Sequence, residues 1–296
     1  GNKVVGYYHI PTFKFLHDNK KLIIGNVQSV AILKEFRNKG VFQKLAEFAI
    51  SDAQQYIDLL YTFPNNNSIH TFLKYSDFKF VNTLPVYILP INIHDILKSK
   101  KLNYGSKYIS DIIKKISQWR SLQINTNEKI IKTEILSKEN LKLFTNYNSQ
   151  YESHLIRDKA FLKWKYIDTK KSQYFCVSLK NNNNLEASVI IKFDRMFEHQ
   201  CLVIMDYAYK NIISMKKLLS NIKNFQFIKK NKPSLIMLTG LSKDISIISK
   251  CGFFKVPAYF VPRKLNLLVK SCSKKLELDN INNKKLHITL SDWDVF

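Results

Sequence analysis

Between residues 25 and 56 a strand-like run ends in Val30-Ala31-Ile32-Leu33, passes through a short basic turn from Lys34 to Gly40, and opens into a helix from Val41 to Tyr56. A strand delivered into a helix by so few residues fixes a βα unit and excludes all-α and all-β arrangements. The turn also has a chemical property. N–H groups in the first helical turn have no intrahelical partner, and the macrodipole adds partial positive charge there. Gly40 allows close backbone approach, while Arg37 and Lys39 place charge at the mouth, so a pyrophosphate suits the site. On these residues alone the reading stays open, because a glycine at a helix entry also serves as a plain turn residue.

The surrounding pattern repeats the alternation. Val4–Leu16 and Leu22–Leu33, separated by His17-Asp18-Asn19-Lys20, read as a β-hairpin. Leu45, Phe48, Ala49 and Ala53 give the following helix an apolar stripe. Ile57–Phe63 is a short strand ended by Pro64 and Asn65-Asn66-Asn67, Ser68–Tyr75 a short helix, and Phe78–Leu89 a further strand. Ile93–Leu122 reads as mostly helical, broken at Asn103–Ser106; a connector and an inserted, substrate-facing helix pair both fit. A second series then begins. Strand Lys129–Leu136 leads to helices Lys138–Asn148 and Lys159–Tyr166, then strands Tyr174–Leu179, Ala187–Phe193 and Cys201–Tyr209. Helix Ile212–Ile228, strand Ser234–Thr239, helix Ser242–Lys250 and strand Phe253–Val261 complete it. The whole is an α/β pattern with a mixed sheet. Pro85-Val86-Tyr87-Ile88-Leu89-Pro90 and Pro257-Ala258-Tyr259-Phe260-Val261-Pro262 share P-x-Y-x-x-P, each after a Phe-Lys pair, which predicts two copies of one fold with Tyr87 equivalent to Tyr259.

Charge narrows the partners. Lys and Arg number 47 against 23 Asp and Glu, a formal net charge of +24. Such a balance favours anionic partners, yet the lysines are spread along the chain among abundant Asn, Ile, Phe and Tyr. No recognition motif for nucleic acid is present, so specific nucleic-acid binding is not expected. A solvated surface accounts for the charge, with peripheral contact to an anionic surface as the other use. No run is apolar and long enough to span a membrane as a helix. Cys176, Cys201, Cys251 and Cys272 are scattered without a CxxC pair, which fits a reducing, cytoplasmic setting and offers no metal site. The chain opens without Met on a strand-like run, as an N-terminally shortened sequence would.

The segment Val30 to Phe42 resembles the acetyl-CoA signature of GNAT N-acetyltransferases, [RQ]-x-x-G-x-[GA] after a strand ending in an apolar triplet. Arg37, Gly40 and the triplet Val30-Ala31-Ile32 match in place, and Asn66 stands at the family's distance from Phe78. The resemblance implies tandem GNAT-like α/β folds with the second copy degenerate. An acyl-CoA-binding domain would span residues 1–90, a helical connector 91–128, and a second domain lacking the phosphate loop 129–296. It assigns Val30, Ala31, Ile32, Leu33, Arg37, Asn38, Lys39, Gly40, Val41, Phe42 and Asn66 to acetyl-CoA or another acyl-CoA. Backbone groups near Ile32 and Leu33 would polarise the thioester, and an amine acceptor, small or sugar-linked, would attack it.

There are departures. Phe42 replaces the last small loop residue, Leu73 stands where many members carry a Tyr acid, and Tyr75 lies on another helical face. No Asp or Glu occurs in Ile24–Leu33, and His70 is a lone helix imidazole, so acid and base are unassigned. Leu162-Lys163-Trp164-Lys165-Tyr166 and Ser291-Asp292-Trp293-Asp294 resemble GNAT-like proteins linked with bacterial surface-polysaccharide assembly. The acceptor is expected between the two halves, near one of His154, Arg157, Asp158, Asp206 or Tyr207. Two other readings stand beside N-acetyl transfer: an aminoacyl or peptide-modifying transferase on the same fold, and a non-catalytic module that binds an anionic partner.

Overall fold

The computed structural model describes residues 3–92, 122–169, 173–196, 199–261, 263–273 and 285–293. The helical stretch expected over Ile93–Leu122 lies, apart from Leu122, outside them.

The first ninety residues supply β1 (Gly6–His9), β2 (Thr12–His17), β3 (Lys20–Asn26), β4 (Gln28–Ile32), α1 (Val41–Ala53), β5 (Leu59–Thr62), α2 (Ile69–Tyr75), β6 (Lys79–Thr83) and β7 (Val86–Pro90). Each of the long strands read from the sequence is cut in two. Pro11, which has no N–H to give a ladder, separates β1 from β2. Positive φ at Ser29 (52°) marks the irregular passage from β3 into β4. Asp18 and Asn19, with φ of 47° and 61°, turn β2 into β3 as expected. Helix α1 buries Ala53 as predicted, but otherwise Ala46 and Ile50, each one position beyond the predicted Leu45 and Ala49, and Phe48 faces solvent, 73% exposed.

The later residues supply β8 (Glu128–Thr133), α3 (Lys138–Asn148), β9 (Ser153–Leu155), α4 (Lys159–Tyr166), β10 (Tyr174–Asn181), β11 (Asn184–Met196), β12 (His199–Tyr209) and α5 (Ile212–Asn221). They are followed by α6 (Gln226–Asn231), β13 (Leu235–Leu241), α7 (Ile245–Ile248), β14 (Phe254–Lys255), β15 (Asn266–Ser271) and β16 (Leu286–Thr289). Side-chain caps set several helix starts. Ser137 accepts the Asn140 N–H, Asp158 that of Phe161, and Asn211 that of Ser214.

The strands join in one large mixed sheet of order β6-β15-β5-β3-β2-β9-β16-β13-β12-β11-β10-β8, with β7 and β14 off this path and β1–β4 as a separate pair. Two crossings interlock early and late residues. β15 lies antiparallel between β5 and β6, while β7 pairs with β13 from Leu235↔Pro90 to Thr239↔Val86. Residues 1–90 and 129–296 therefore do not hold separate sheets. The expected equivalence of Tyr87 and Tyr259 fails. Tyr87 is buried on β7, whereas Pro257 directs residues 258–260 into a 3-10 turn where Tyr259 is 91% exposed. The Phe254-Lys255 pair that precedes the second P-x-Y-x-x-P segment meets the first segment instead, through Lys255↔Tyr87 and Phe254↔Ile88.

β5 and β13 are buried along their whole length, as continuous apolar runs in parallel pairings demand. One large core includes residues of β5, β12, β13 and β16, and a smaller one, with Leu60, Phe72, Phe78 and Leu268, packs beneath α1 and α2. Gly240, with φ of 154°, joins β13 to β16 opposite Thr289, and a Cβ there would run into the Ile288 carbonyl oxygen. Gly240→Ala is expected to cost about 2–4 kcal/mol through strain and backbone displacement. The loss should appear as a lower urea midpoint with an unchanged slope.

Candidate functional site

Two parallel strands, third and fourth along the sheet from β6, part from one another. β3 and β5 are paired at Ile24↔Leu59, Gly25↔Leu60 and Asn26↔Tyr61. Just beyond, the Val27 N–H donates to the Tyr61 carbonyl at 2.8 Å and the Thr62 hydroxyl to the Val27 carbonyl at 2.8 Å. From there the chain leaves β5, and among the described residues β4 pairs only with β1, through Gly6↔Ile32, Tyr7↔Ala31 and His9↔Gln28. Val30 and Ile32 are half-buried and Ala31 and Leu33 exposed along this diverging strand. A strand with one unpaired edge is a template for an extended ligand carrying amides of its own.

The strand ends in a 3-10 turn at Lys34–Phe36, and the Arg37 Nε donates to the Ile32 carbonyl at 3.0 Å. That bond folds the guanidinium back over the strand end. Asn38 (φ 59°) and Gly40 (φ 74°) then reverse the chain into α1. Gly40 is the N-cap, so no side chain caps the helix, and the first intrahelical bond runs from the Lys44 N–H to the Gly40 carbonyl at 3.2 Å. The N–H groups of Val41, Phe42 and Gln43 precede it, free of intrahelical partners. A Cβ on Gly40 would meet nothing within 4 Å. Arg37, Lys39 and Gly40 are exposed around this helix end, and Lys39 lies 5.7 Å from the Phe36 ring centroid. The result is an open, uncapped helix terminus ringed by cations beside a parted strand.

Phe42 does not crowd that terminus. Its ring turns inward, 5.8 Å from Phe72 and 6.4 Å from Tyr8. Asn66 is exposed in the loop before α2, while Asn65 does the local work, its Oδ1 accepting the N–H groups of Asn67 and Ser68 at 3.0 Å. His70 is exposed, Leu73 and Tyr75 are 40% and 48% exposed, and Tyr75 stacks with Lys74 at 5.1 Å.

The second half contains a similar parting with a different fate. β12 and β13 are parallel at Cys201↔Leu235, Leu202↔Ile236 and Val203↔Met237, then diverge. β16 and the turn Leu290–Asp292 occupy the gap. Thr289 pairs with Gly240 of β13, and the hydroxyls of Thr289 and Ser291 reach Asp206 of β12 at 3.2 Å. At the centre, the fully buried Arg157 donates Nε to Asp206 at 2.6 Å and Nη2 to Asp292 at 2.9 Å. Helix α5, which follows this parting, is capped by its own Asn211, whose Oδ1 also accepts the Ser214 hydroxyl at 3.1 Å.

Most of the ionisable residues expected at the acceptor are thereby committed to structure. Arg157 and Asp206 form the buried network. Tyr207 is buried and bonded to Ser242 at 2.9 Å. His154 is buried with Nδ1 on the Tyr151 carbonyl at 3.0 Å. Asp158 remains at the surface, capping α4 and paired with Lys14 at 3.0 Å. Partial burial pushes its carboxyl up, but the Phe161 amide and Lys14 outweigh that and hold it below the usual range. It borders an open groove of about 280 Å³ between β2 and α4, floored by Phe13, Phe161 and Trp164 with ring centroids 5.3–6.2 Å apart. The groove adjoins the first parting, because Thr12 pairs with Gly25 and the Asn26 N–H donates to the Pro11 carbonyl at 2.9 Å. The aromatic residues of the α4 run were visible in the sequence; their meeting with Phe13 was not. Among the described residues no group of His, Cys, Asp and Glu is placed to hold a metal, and no helix is long and apolar enough to cross a membrane.

No family model matches the sequence, and no curated protein matches it. Solved structures do resemble it in fold. A GCN5-related N-acetyltransferase from Anabaena variabilis superposes with a TM-score of 0.64 at 10% identity, over 92% of this chain and 61% of that one. A conserved protein from Enterococcus faecalis, described as a probable N-acyltransferase, gives 0.61 at 10% identity over 91% and 59%. N-myristoyltransferase from Saccharomyces cerevisiae with bound myristoyl-CoA gives 0.60 at 13% identity over 96% and 73%. The chain thus spans about three fifths of the first two structures' length. These likenesses show the fold, a mixed α/β sheet of the GNAT-like acyltransferase kind.

Two imidazoles beside Arg157 give the folded state a pH dependence. Burial and then the Arg157 charge push His154 down to about 4. Burial, Arg157 and His154 push His287, whose ring nitrogens have no hydrogen-bond partner, far below its ordinary value. An unfolded imidazole titrates near 6.5, so between about pH 6.5 and 4 the unfolded chain takes up protons that the folded chain refuses. Stability is expected to fall as pH drops through that window, by up to about 1.4 kcal/mol per pH unit for each imidazole. Urea unfolding at pH 7.5 and 5 measures the difference. His287→Phe, which keeps a ring stacked on Tyr151, is expected to reduce it by about half.

Proposed function

We propose that the chain is an acyl-CoA-dependent N-acyltransferase whose donor site is the parting of β3–β4 from β5 together with the turn into α1. The observation that carries this is the junction of the two features: an unpaired strand edge leads directly to an uncapped helix N-terminus at Gly40. A pantetheine arm carries amides that match the edge, and a pyrophosphate matches three free N–H groups, the helix dipole and the cations Arg37 and Lys39. Val30–Leu33 would line the arm, Arg37–Phe42 the phosphates, and Asn66 the far lip of the slot. The likeness to acyltransferases, one of them holding myristoyl-CoA, agrees with this reading.

The acceptor is an amine, small or sugar-linked. It would lie in the groove between β2 and α4, where Phe13, Phe161 and Trp164 offer ring faces and Asp158 an anion that attracts an ammonium group. Chemistry then needs the free amine. Its nitrogen attacks the thioester carbon and the C–N bond forms. The C–S bond breaks, the sulfur leaves as thiolate, and the proton lost by the amine neutralises it. The second half would act as a degenerate copy of the first, since it repeats the parted parallel strands but fills them with its own C-terminal segment.

Calorimetry on the full chain tests the donor site. CoA is expected to bind at about one equivalent per chain, because the second helix entry is capped by Asn211. Arg37→Glu should weaken CoA by about tenfold to a hundredfold, the scale of one charge-assisted contact. Pantetheine, which lacks the phosphates, should bind the variant and the parent alike. Equal losses for both ligands would move the pyrophosphate away from this turn.

A further inference from the structure

On the sheet face opposite α1, below the first parting, lies a cavity of about 40 Å³. Its walls include Ile24 of β3, Leu59 and Tyr61 of β5, Val81 of β6, and Leu267 and Val269 of β15. Two polar side chains border it: Asp292, which already takes bonds from Arg157 and the Thr289 N–H, and His287, whose ring nitrogens have no hydrogen-bond partner. Close-packed interiors seldom keep such a space, and most of its walls are aliphatic or aromatic. Room for roughly three water-sized groups is also room for a short hydrocarbon chain.

A second, independent feature adjoins it. Asn26 is 2% exposed, and its Nδ2 is buried without a hydrogen-bond partner. Alternation along β3 puts its side chain on the same face as Ile24, opposite Tyr61 in the parallel register and one residue before the strands part. A buried amide N–H without an acceptor is rare and costly, and calls for a group that completes it. Asn26 does not itself line the cavity, but Ile24, two residues before it, and Tyr61, opposite it, both do, and what its amide lacks is an acceptor oxygen on that side of the sheet.

We propose that Asn26 and this cavity form an acyl subsite: Asn26 Nδ2 donates to the thioester carbonyl oxygen, and an aliphatic chain of roughly three or four carbons fills the cavity. The inference rests on the donor-site reading above and adds the class of acyl group. Asn26 would be both a positioning residue and a source of charge stabilisation on that oxygen as the amine attacks.

Calorimetry with free CoA, acetyl-CoA, butyryl-CoA and S-butyl-CoA, the thioether that lacks the carbonyl, tests it on the full chain. Each methylene buried is worth about fourfold in affinity, so butyryl-CoA, with two more than acetyl-CoA, should bind about fifteenfold more tightly. Leu267→Phe fills the cavity and should bring the two within twofold, with free CoA unchanged. Val81→Phe, on the edge strand β6, is a second filling variant should the first not fold. Asn26→Leu keeps the shape without the donor, and should abolish the preference for butyryl-CoA over the thioether. If all four ligands bind the parent chain equally, the subsite is wrong while the donor site stands. If acetyl-CoA binds more tightly than butyryl-CoA, the cavity is not the acyl site. If no CoA species binds at millimolar concentration, both readings fall.

Discussion

One buried guanidinium holds together segments that lie far apart in sequence. Arg157 reaches Asp206 on β12, Asp292 in the last described turn, the Thr289 hydroxyl at 3.1 Å and the Leu155 carbonyl at 3.0 Å. Removing three charges from water is expensive, and the network is tolerable only because every partner is present. Burial opposes the guanidinium charge, but Asp206 and Asp292 more than restore it, and its affinity for protons is raised. Asp292 answers in the other direction: burial outweighs Arg157 and its carboxyl is pushed up. With the network in place β16 is pinned against β13, and the backbone around Asp292 can accept the Tyr61 hydroxyl at 3.0 Å. That last bond carries the constraint from the second parting to the strand that borders the first.

The two partings answer the same physical problem in opposite ways. Parallel strands that diverge leave backbone groups facing a gap, and the gap must be filled from within or by something else. In the second half a strand, two hydroxyls and an ion network fill it, and the next helix is capped by Asn211. In the first half none of the described elements fills it, and the next helix begins on a bare glycine. The contrast separates a site from a scaffold more firmly than any single residue does.

Much of the local structure was legible in the sequence because it depends on neighbours in the chain. Helices Lys138–Asn148 and Lys159–Tyr166 fall within their predicted bounds, where caps at Ser137 and Asp158 and an apolar period agree. The turn from Lys34 to Gly40 takes the left-handed conformation at Gly40 that a helix entry of this kind needs. What was not legible depends on distant partners. β15 and β16 carry no turn or period that ties them to β5 or β13. Phe78–Leu89 reads as one strand, yet Leu84-Pro85 sends β6 and β7 to different partners. His154, Arg157, Asp206 and Tyr207 look like reactive groups in a linear reading, and only burial reveals them as core. Asn26 gave no signal at all, since an orphaned amide is defined by the absence of a partner in three dimensions.

The insertion of β15 between β5 and β6 has a consequence for how the chain comes into being. β5 and β6 are separated by sixteen residues, from Lys79 back to Thr62, yet they cannot complete their ladder until Asn266–Ser271 has been synthesised. β5 and β6 therefore emerge with bare edges and must wait until residues 84–265 have been made before their partner follows. Contacts of such long sequence separation close slowly, and open edges left waiting invite pairing with other chains. Lys79, Lys21 and Lys14, exposed charges on β6, β3 and β2, are the residues natural sheets use to discourage such pairing.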